Sequence, residues 1–306
     1  MRYAILDSFK GQFAGHETFP LRLLWLKKAY DAVKDGADLR TFQEPSAIAR
    51  FGVGRNMAQS MRYWALATGM IGERGGQLHP TALGRFLLDD DGADPFVEAA
   101  ATVWLAHWGV ASTPNFTTTT YFAFNLFQGL EFYPSDLAAE ILALAEARGW
   151  RASATTIKRD VEVFLRGYVR RTEGSLEDAA EPLLAELGLV REVRGGGYYE
   201  FVRGPKPSLP DAVFAFALHE FWQSTAPSAA TLSAEQVAYL PGSPGRVFKL
   251  DDDSVAMRLM AMDAVTDGAL RWTDTAGLRQ IQRNRDFAPL DLLPGAYARA
   301  TSRIAA

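Results

Sequence analysis

Apolar residues recur every three to four positions through most of the chain, a period that predicts helices. The first predicted helix spans Leu21 to Lys34, with Pro20 at its entry and Asp35-Gly36-Ala37-Asp38 as the turn after it. A short helix is predicted from Pro45 to Phe51, a stop at Gly52-Val53-Gly54, and a longer helix from Asn56 to about Thr68, closed by Gly69. Thr81 to Leu88 reads as another short helix, and Asp89 to Pro95 as an acidic turn. Helical patterns follow at 96–108 and 121–130, from Ser135 as N-cap to Arg148, and from Thr155 or Thr156 as cap to about Arg170. Leu176 to Leu187 continues the helical pattern up to Gly188.

The period then changes. Segment 189–203 alternates around Gly195-Gly196-Gly197, which predicts a hairpin with a glycine turn. Gly204-Pro205-Lys206-Pro207 marks a boundary. Helices are predicted beyond it at 211–222, 233–238 and 254–267, with 240–245 as a loop. Leu270 to Ile281 fits either a helical end or a small hairpin. The expected fold class is mainly α with small β-hairpins, divided into units at 1–94, 95–205 and 206–306.

Glu44 to Met57 has the spacing of a helix–turn–helix, with glycine in the turn. On the second helix, Met57, Met61 and Trp64 recur at +4 and +7 and form an apolar stripe. Arg55, Gln59 and Arg62 recur at the same interval on the other face, and their donor patterns suit base edges in a major groove. Gly69 to Pro80 then has the shape of a β-hairpin wing with Arg74 near its tip, positioned to touch phosphate. The unit predicted is a winged helix, with Arg50, Arg55, Arg62 and Arg74 as a local basic surface. The competing reading is a helical hairpin in a larger core, its charged face simply solvated. Winged helices also serve as protein contacts.

A second winged unit is predicted over 155–203. Ile157, Val161, Phe164 and Tyr168 form its buried stripe, and Lys158, Arg159, Arg166, Arg170 and Arg171 bring positive charge beside it. Arg191, Arg194 and Arg203 surround the glycine turn, so Arg191 and Arg194 join Lys158 and Arg159 as candidate DNA contacts. Tyr198 and Tyr199 suit either stacking on bases or packing on the preceding helix.

Composition narrows the chemistry. The chain has 306 residues, 48% hydrophobic and 22% charged, a globular balance that excludes global disorder. It has no cysteine, which removes disulfides, iron–sulfur clusters, thiolate zinc sites and a thiol nucleophile. With 32 Lys and Arg against 36 Asp and Glu, the net charge of -4 leaves nucleic-acid binding to local patches. No signal peptide or membrane-spanning run is read, and a cytoplasmic location is expected. The glycine-rich turns lack a following Lys-Ser or Lys-Thr, so no nucleotide P-loop is predicted.

Phe13 to Arg22 is the densest polar cluster near the N-terminus. Its candidate catalytic residues are His16 as proton carrier, Glu17 as ion ligand or water-orienting group, and Arg22 as phosphate clamp. The same cluster also reads as a helix cap, with His16 bonded to backbone and Phe13 and Phe19 plugging the core.

This run, followed by Trp25-Leu26-Lys27-Lys28, resembles the N-terminal signature of the SspB-like family of bacterial DNA phosphorothioation systems, a family formerly of unknown function. The resemblance continues through Phe51 to Met57, Arg62-Tyr63-Trp64 and Thr81 to Gly84. It implies a DNA-binding component of an anti-phage defence system that nicks one strand so that sulfur can enter the backbone. The implied partners are double-stranded DNA, a cysteine desulfurase and ATP-dependent sulfur-transfer proteins. It names no catalytic residues on this chain.

Phosphodiester hydrolysis commonly uses a divalent ion held by carboxylates, so Mg²⁺ or Mn²⁺ is the candidate cofactor. Glu17, Asp160, Glu162 and Asp263 are the candidate carboxylates, and they form no recognised nuclease set. The alternatives to a nickase are a non-enzymatic DNA reader that recruits the modifying enzymes, and a winged-helix regulator or protein adaptor.

Overall fold

The computed structural model describes residues 9–43, 46–170, 182–193, 197–275 and 277–297. Arg171, Arg194 and the first part, 176–181, of the helix expected over 176–187 lie outside these residues. The architecture is helical with small antiparallel sheets. None of the described helices is long and apolar enough to cross a membrane.

Helix α1 (Trp25–Lys34) buries Trp25, Leu26, Ala29, Tyr30 and Val33. It starts later than its apolar pattern, because Leu23 and Leu24 are exposed and Arg22 forms an isolated bridge with Pro182. Lys27 and Lys34 bond the acidic turn at Asp90, and Lys34 also pairs with Asp89 at 2.8 Å. The acidic turn is therefore tied to α1.

Helix α2 (Ser46–Phe51) and helix α3 (Arg55–Ala67) flank the Gly52 turn as expected. Strands β1 (Ile71–Arg74) and β2 (Gln77–Pro80) then pair antiparallel. Their link, Gly75-Gly76, has φ of 60° and 78°, the left-handed pair that a two-residue hairpin turn requires and glycine supplies. Helix α4 (Ala82–Leu88) is capped by Thr81, whose hydroxyl accepts from the Gly84 amide at 2.9 Å.

The middle of the chain departs from its pattern. Helix α5 (Ala100–Ala111) begins and ends later than expected and is buried on nearly every side. The helix expected over 121–130 is instead α6 (Thr118–Tyr121) running into a π-turn, Phe122–Leu126. The Asn125 amide donates to Ala111 and Tyr121 carbonyls at 2.8 and 3.0 Å, and Lys249 donates to the Phe124 carbonyl at 2.8 Å. These bonds from outside the ladder hold the widened turn.

Helix α7 (Pro134–Ala147) begins one residue before the expected cap Ser135, with proline in the first turn. Helix α8 (Ala154–Tyr168) is capped by Ser153, which accepts from the Thr156 amide at 3.1 Å; Thr155 and Thr156 lie inside the helix. The expected hairpin forms from β4 (Val190–Val193) and β5 (Tyr198–Phe201), and β3 (Glu131–Phe132) adds a third strand beside β5. Residues 183–187 form a 3-10 turn.

Beyond the proline-rich boundary come α9 (Asp211–Thr225), β6 (Thr231–Ser233), α10 (Ala234–Tyr239), α11 (Pro244–Val247) and α12 (Asp252–Val265). Asp251 caps α12 through the Ser254 amide at 2.8 Å. Of the two readings for 270–281, the hairpin is found: β7 (Leu270–Thr275) pairs β8 (Leu278–Arg283), and β6 completes that sheet. The described residues end with α13 (Pro294–Tyr297). Buried apolar side chains from all three sequence units join one continuous core.

Candidate functional site

Residues 11–22 form a loop clamped between α3 and α8. From the α3 side, the Trp64 indole donates to the Phe19 carbonyl at 3.0 Å. The Tyr63 ring packs so closely on Gly15 that a Cβ there would lie 2.5 Å from it. From the α8 side, Arg166 donates to the Thr18 carbonyl at 3.2 Å, and Gly167 lies beside Pro20. Thr118 of α6 accepts from the Gln12 amide at 2.8 Å.

His16 sits at the centre and is 5% exposed. Its ring stacks on Trp64 and meets Tyr63 edge-on, with centroids 6.3 and 6.0 Å away. Nδ1 accepts from the Thr18 amide at 3.1 Å, so in neutral His16 the proton rests on Nε2. Nε2 then donates to Asp160 Oδ1 at 3.1 Å. The same carboxylate accepts from the Ala14 amide at 2.9 Å and from the Thr119 hydroxyl at 3.4 Å. Asp160 thereby joins α8, α6 and the loop in one buried network.

The loop backbone is strained. Ala14, Glu17 and Thr18 have φ of 64°, 48° and 69°, the left-handed region that residues with a Cβ occupy at a cost. Such conformations persist only where surrounding contacts over-determine them, and the Asp160 network supplies those contacts. Strain of this kind gathers at functional sites more than elsewhere.

The three candidate catalytic residues are not equivalent. His16 has both nitrogens engaged and no free edge for a substrate, so it holds the loop; this geometry matches the capping alternative. Glu17 is half-buried, and its carboxylate has no hydrogen-bond or ion-pair partner among the described residues. Arg22 is half-buried at the far end of the loop, its guanidinium 6.0 Å from the Phe19 ring centroid and 5.5 Å from that of Trp25.

The candidate DNA contacts also divide. Trp64 is buried, as the apolar stripe requires. Arg55 is exposed, Gln59 and Arg62 half-buried. Arg62 Nε is buried without an acceptor among the described residues, and desolvation holds its guanidinium below the usual arginine range. Arg74 is exposed on the hairpin; Lys158 and Arg159 are exposed on α8. Arg50 is occupied by Asp35 at 3.7 Å and by the Ala32 carbonyl. Arg191 pairs with Glu200 across the strands. Tyr198 packs on Tyr133 and Tyr199 on Phe132, with centroids 5.5 and 6.1 Å apart, so both rings have protein partners, on β3 and the residue after it rather than on the preceding helix.

Among the candidate carboxylates, Asp160 is spent on the loop, and Glu162 and Asp263 stand apart from it on exposed or half-buried positions. No group of three or more His, Asp or Glu suited to hold an ion gathers among the described residues. Sequence reasoning overlooked a second buried network. His107 Nε2 donates to the Val247 carbonyl at 2.8 Å and Nδ1 accepts from the Tyr168 hydroxyl at 2.7 Å. Burial pushes the His107 pKa down to about 3. A histidine inside the apolar run of α5 was the available signal.

Comparison with solved structures finds two close matches. A crystal structure of magnesium ion-bound SspB superimposes with a TM-score of 0.84 at 29% identity, covering 98% of this chain and 91% of that one. A second SspB crystal structure gives a TM-score of 0.84 at 29% identity, covering 99% and 97%. Comparison with curated proteins finds no match. A family model described as a protein of unknown function, DUF4007, matches residues 13–297. That match starts at Phe13, inside the clamped loop, and runs to Tyr297 at the end of α13, and on it the chain belongs to the DUF4007 family, with the fold of SspB.

Proposed function

We propose that the chain is the DNA-engaging component of an SspB-type phosphorothioation system and nicks one strand of duplex DNA for sulfur incorporation. The observation that carries this reading is the near full-length likeness to SspB. The partners are duplex DNA and the sulfur-activating proteins of such a system.

DNA lies against α3 and α8 on either side of the clamped loop in this reading. Arg55 and Gln59 face bases or backbone from α3, with Arg62 beside them and Arg74 reaching phosphate from the hairpin. Lys158 and Arg159 hold phosphate from α8. Arg50 and Arg191 have carboxylate partners and contribute less. Glu17 is the loop's uncommitted carboxylate, and Arg22 is the cation for the phosphate. His16 and Asp160 are positioning residues that keep Glu17 in its left-handed turn.

Mg²⁺ fits this donor set in one respect. It commonly takes one or two protein carboxylates and completes its shell with water and substrate phosphate, so a preformed cage is not required. Glu17 would hold it together with the DNA, and the ion would neutralise charge on the phosphate.

The specific observation favouring a non-enzymatic DNA reader is that both His16 nitrogens are engaged, which leaves the loop without a free histidine to move a proton. Incubating supercoiled plasmid with the chain and Mg²⁺ or Mn²⁺, against a chelator control, separates the two. Metal-dependent open circles support the nickase. Retained DNA binding without open circles supports the reader.

A further inference from the structure

A cavity of about 360 Å³ lies away from the clamped loop, where the end of α3 and the start of α4 meet α5, α9 and the 3-10 turn Pro289–Leu292. Its volume falls within the range of about 300–1,000 Å³ typical of small-molecule sites. Leu83, Leu105, Phe216 and Leu290 are among its apolar lining, with Trp108 and Glu220 beside them. At its floor α5 approaches the end of α3 very closely: a Cβ on Gly109 would lie 2.8 Å from the Thr68 backbone.

The polar groups on this wall are unequally used. The Thr68 hydroxyl donates to the Trp64 carbonyl at 2.8 Å, and that of Thr81 to the Gly69 carbonyl at 2.6 Å. Glu220 Oε2 accepts from the Trp108 indole at 2.6 Å. No cation pairs with Glu220 among the described residues, and Oε1 is left over. Glu220 reaches solvent, yet the surrounding protein holds its carboxyl above the usual carboxylate range. A carboxylate pinned by one oxygen at the edge of an apolar cavity selects for charge as well as shape.

We propose that this cavity binds a small organic cation: an amine carried on a flat apolar body, with the ring between Leu83, Phe216 and Leu290 and the ammonium on Glu220 Oε1. The Trp108 indole fixes the carboxylate in place, so little ordering is needed on binding. The site is separate from the DNA reading and stands or falls without it.

The test is calorimetric titration of the full chain with tryptamine, indole and indole-3-acetate, which share a ring and differ in charge. Tryptamine is expected to bind saturably at one site, indole more weakly, and indole-3-acetate not at all. Glu220→Gln keeps an acceptor for the Trp108 indole and removes the charge. It is expected to weaken tryptamine by about tenfold or more. Leu290→Trp fills the cavity and is expected to abolish binding, with melting temperatures recorded for both variants. Absence of saturable tryptamine binding overturns the proposal. So does equal binding of tryptamine and indole-3-acetate, or tryptamine affinity unchanged in folded Glu220→Gln.

Discussion

Asp160→Ala removes the acceptor for the part-buried Ala14 amide and the buried His16 Nε2; the third donor, the Thr119 hydroxyl at 3.4 Å, is the longest of the three and adds least. Each orphaned donor costs about 1–3 kcal/mol, so the gross loss is about 2–6 kcal/mol. Part of it returns when the loop lets go, because three left-handed residues each release on the order of 1 kcal/mol of strain. Setting about 3 kcal/mol of released strain against the upper half of the gross range leaves a net loss of about 1–3 kcal/mol. Asp160→Asn is milder. With its carbonyl in the place of Oδ1 it keeps both the Ala14 and the His16 bonds, and its amide in the place of Oδ2 faces the Thr119 hydroxyl, which can accept. A cost below about 1 kcal/mol is expected. Urea unfolding with linear extrapolation measures both values, and hydrogen exchange at Ala14 reports whether the loop has opened. His16→Ala combined with Asp160→Ala should fall short of the sum of the single losses by about 1 kcal/mol or more, because the two residues share one bond. Asp160→Ala within about 0.5 kcal/mol of wild type, the range of ordinary surface changes, would refute the clamp. Strict additivity would refute it equally.

Gly15→Ala drives a methyl into the Tyr63 ring and should lower stability by about 1–3 kcal/mol, read from the shift in thermal midpoint. Arg55→Ala with Arg62→Ala should weaken duplex binding and flatten its salt dependence while leaving the melting temperature near wild type, measured by mobility shift across salt concentrations. His107 makes stability pH-dependent. Its folded pKa of about 3 lies below the ordinary 6.5, so the unfolded chain takes up a proton that the folded chain refuses between those values. This contribution is fully present above pH 6.5 and declines as pH falls towards 3. His107→Asn should shrink that slope in unfolding curves taken across the interval.

The local signals in the sequence were strong where the partners were close. The Gly75-Gly76 turn and the Met57, Met61, Trp64 stripe depend on residues within one helix or hairpin, and both formed. The π-turn did not follow from its apolar pattern, because its cause lies at Asn125 and at Lys249, which is 125 residues from the Phe124 carbonyl it meets. The cap of α8 moved to Ser153 because a serine in extended backbone satisfies the Thr156 amide before Thr155 or Thr156 can act. At the candidate site, the cluster Phe13–Arg22 was visible as composition. The bond between His16 and Asp160 spans 144 positions and was not. That pairing turns His16 from a free acid–base group into a support and leaves Glu17 as the available carboxylate.

The central claim is best tested by single-turnover nicking of supercoiled plasmid by wild type and Glu17→Gln side by side, with Mg²⁺ and with chelator. Open-circle product is expected from wild type only with the metal. A large loss of that product is expected in Glu17→Gln, at unchanged melting temperature and unchanged DNA affinity. Full nicking by Glu17→Gln, or no nicking by a wild-type chain that binds the plasmid, would contradict it.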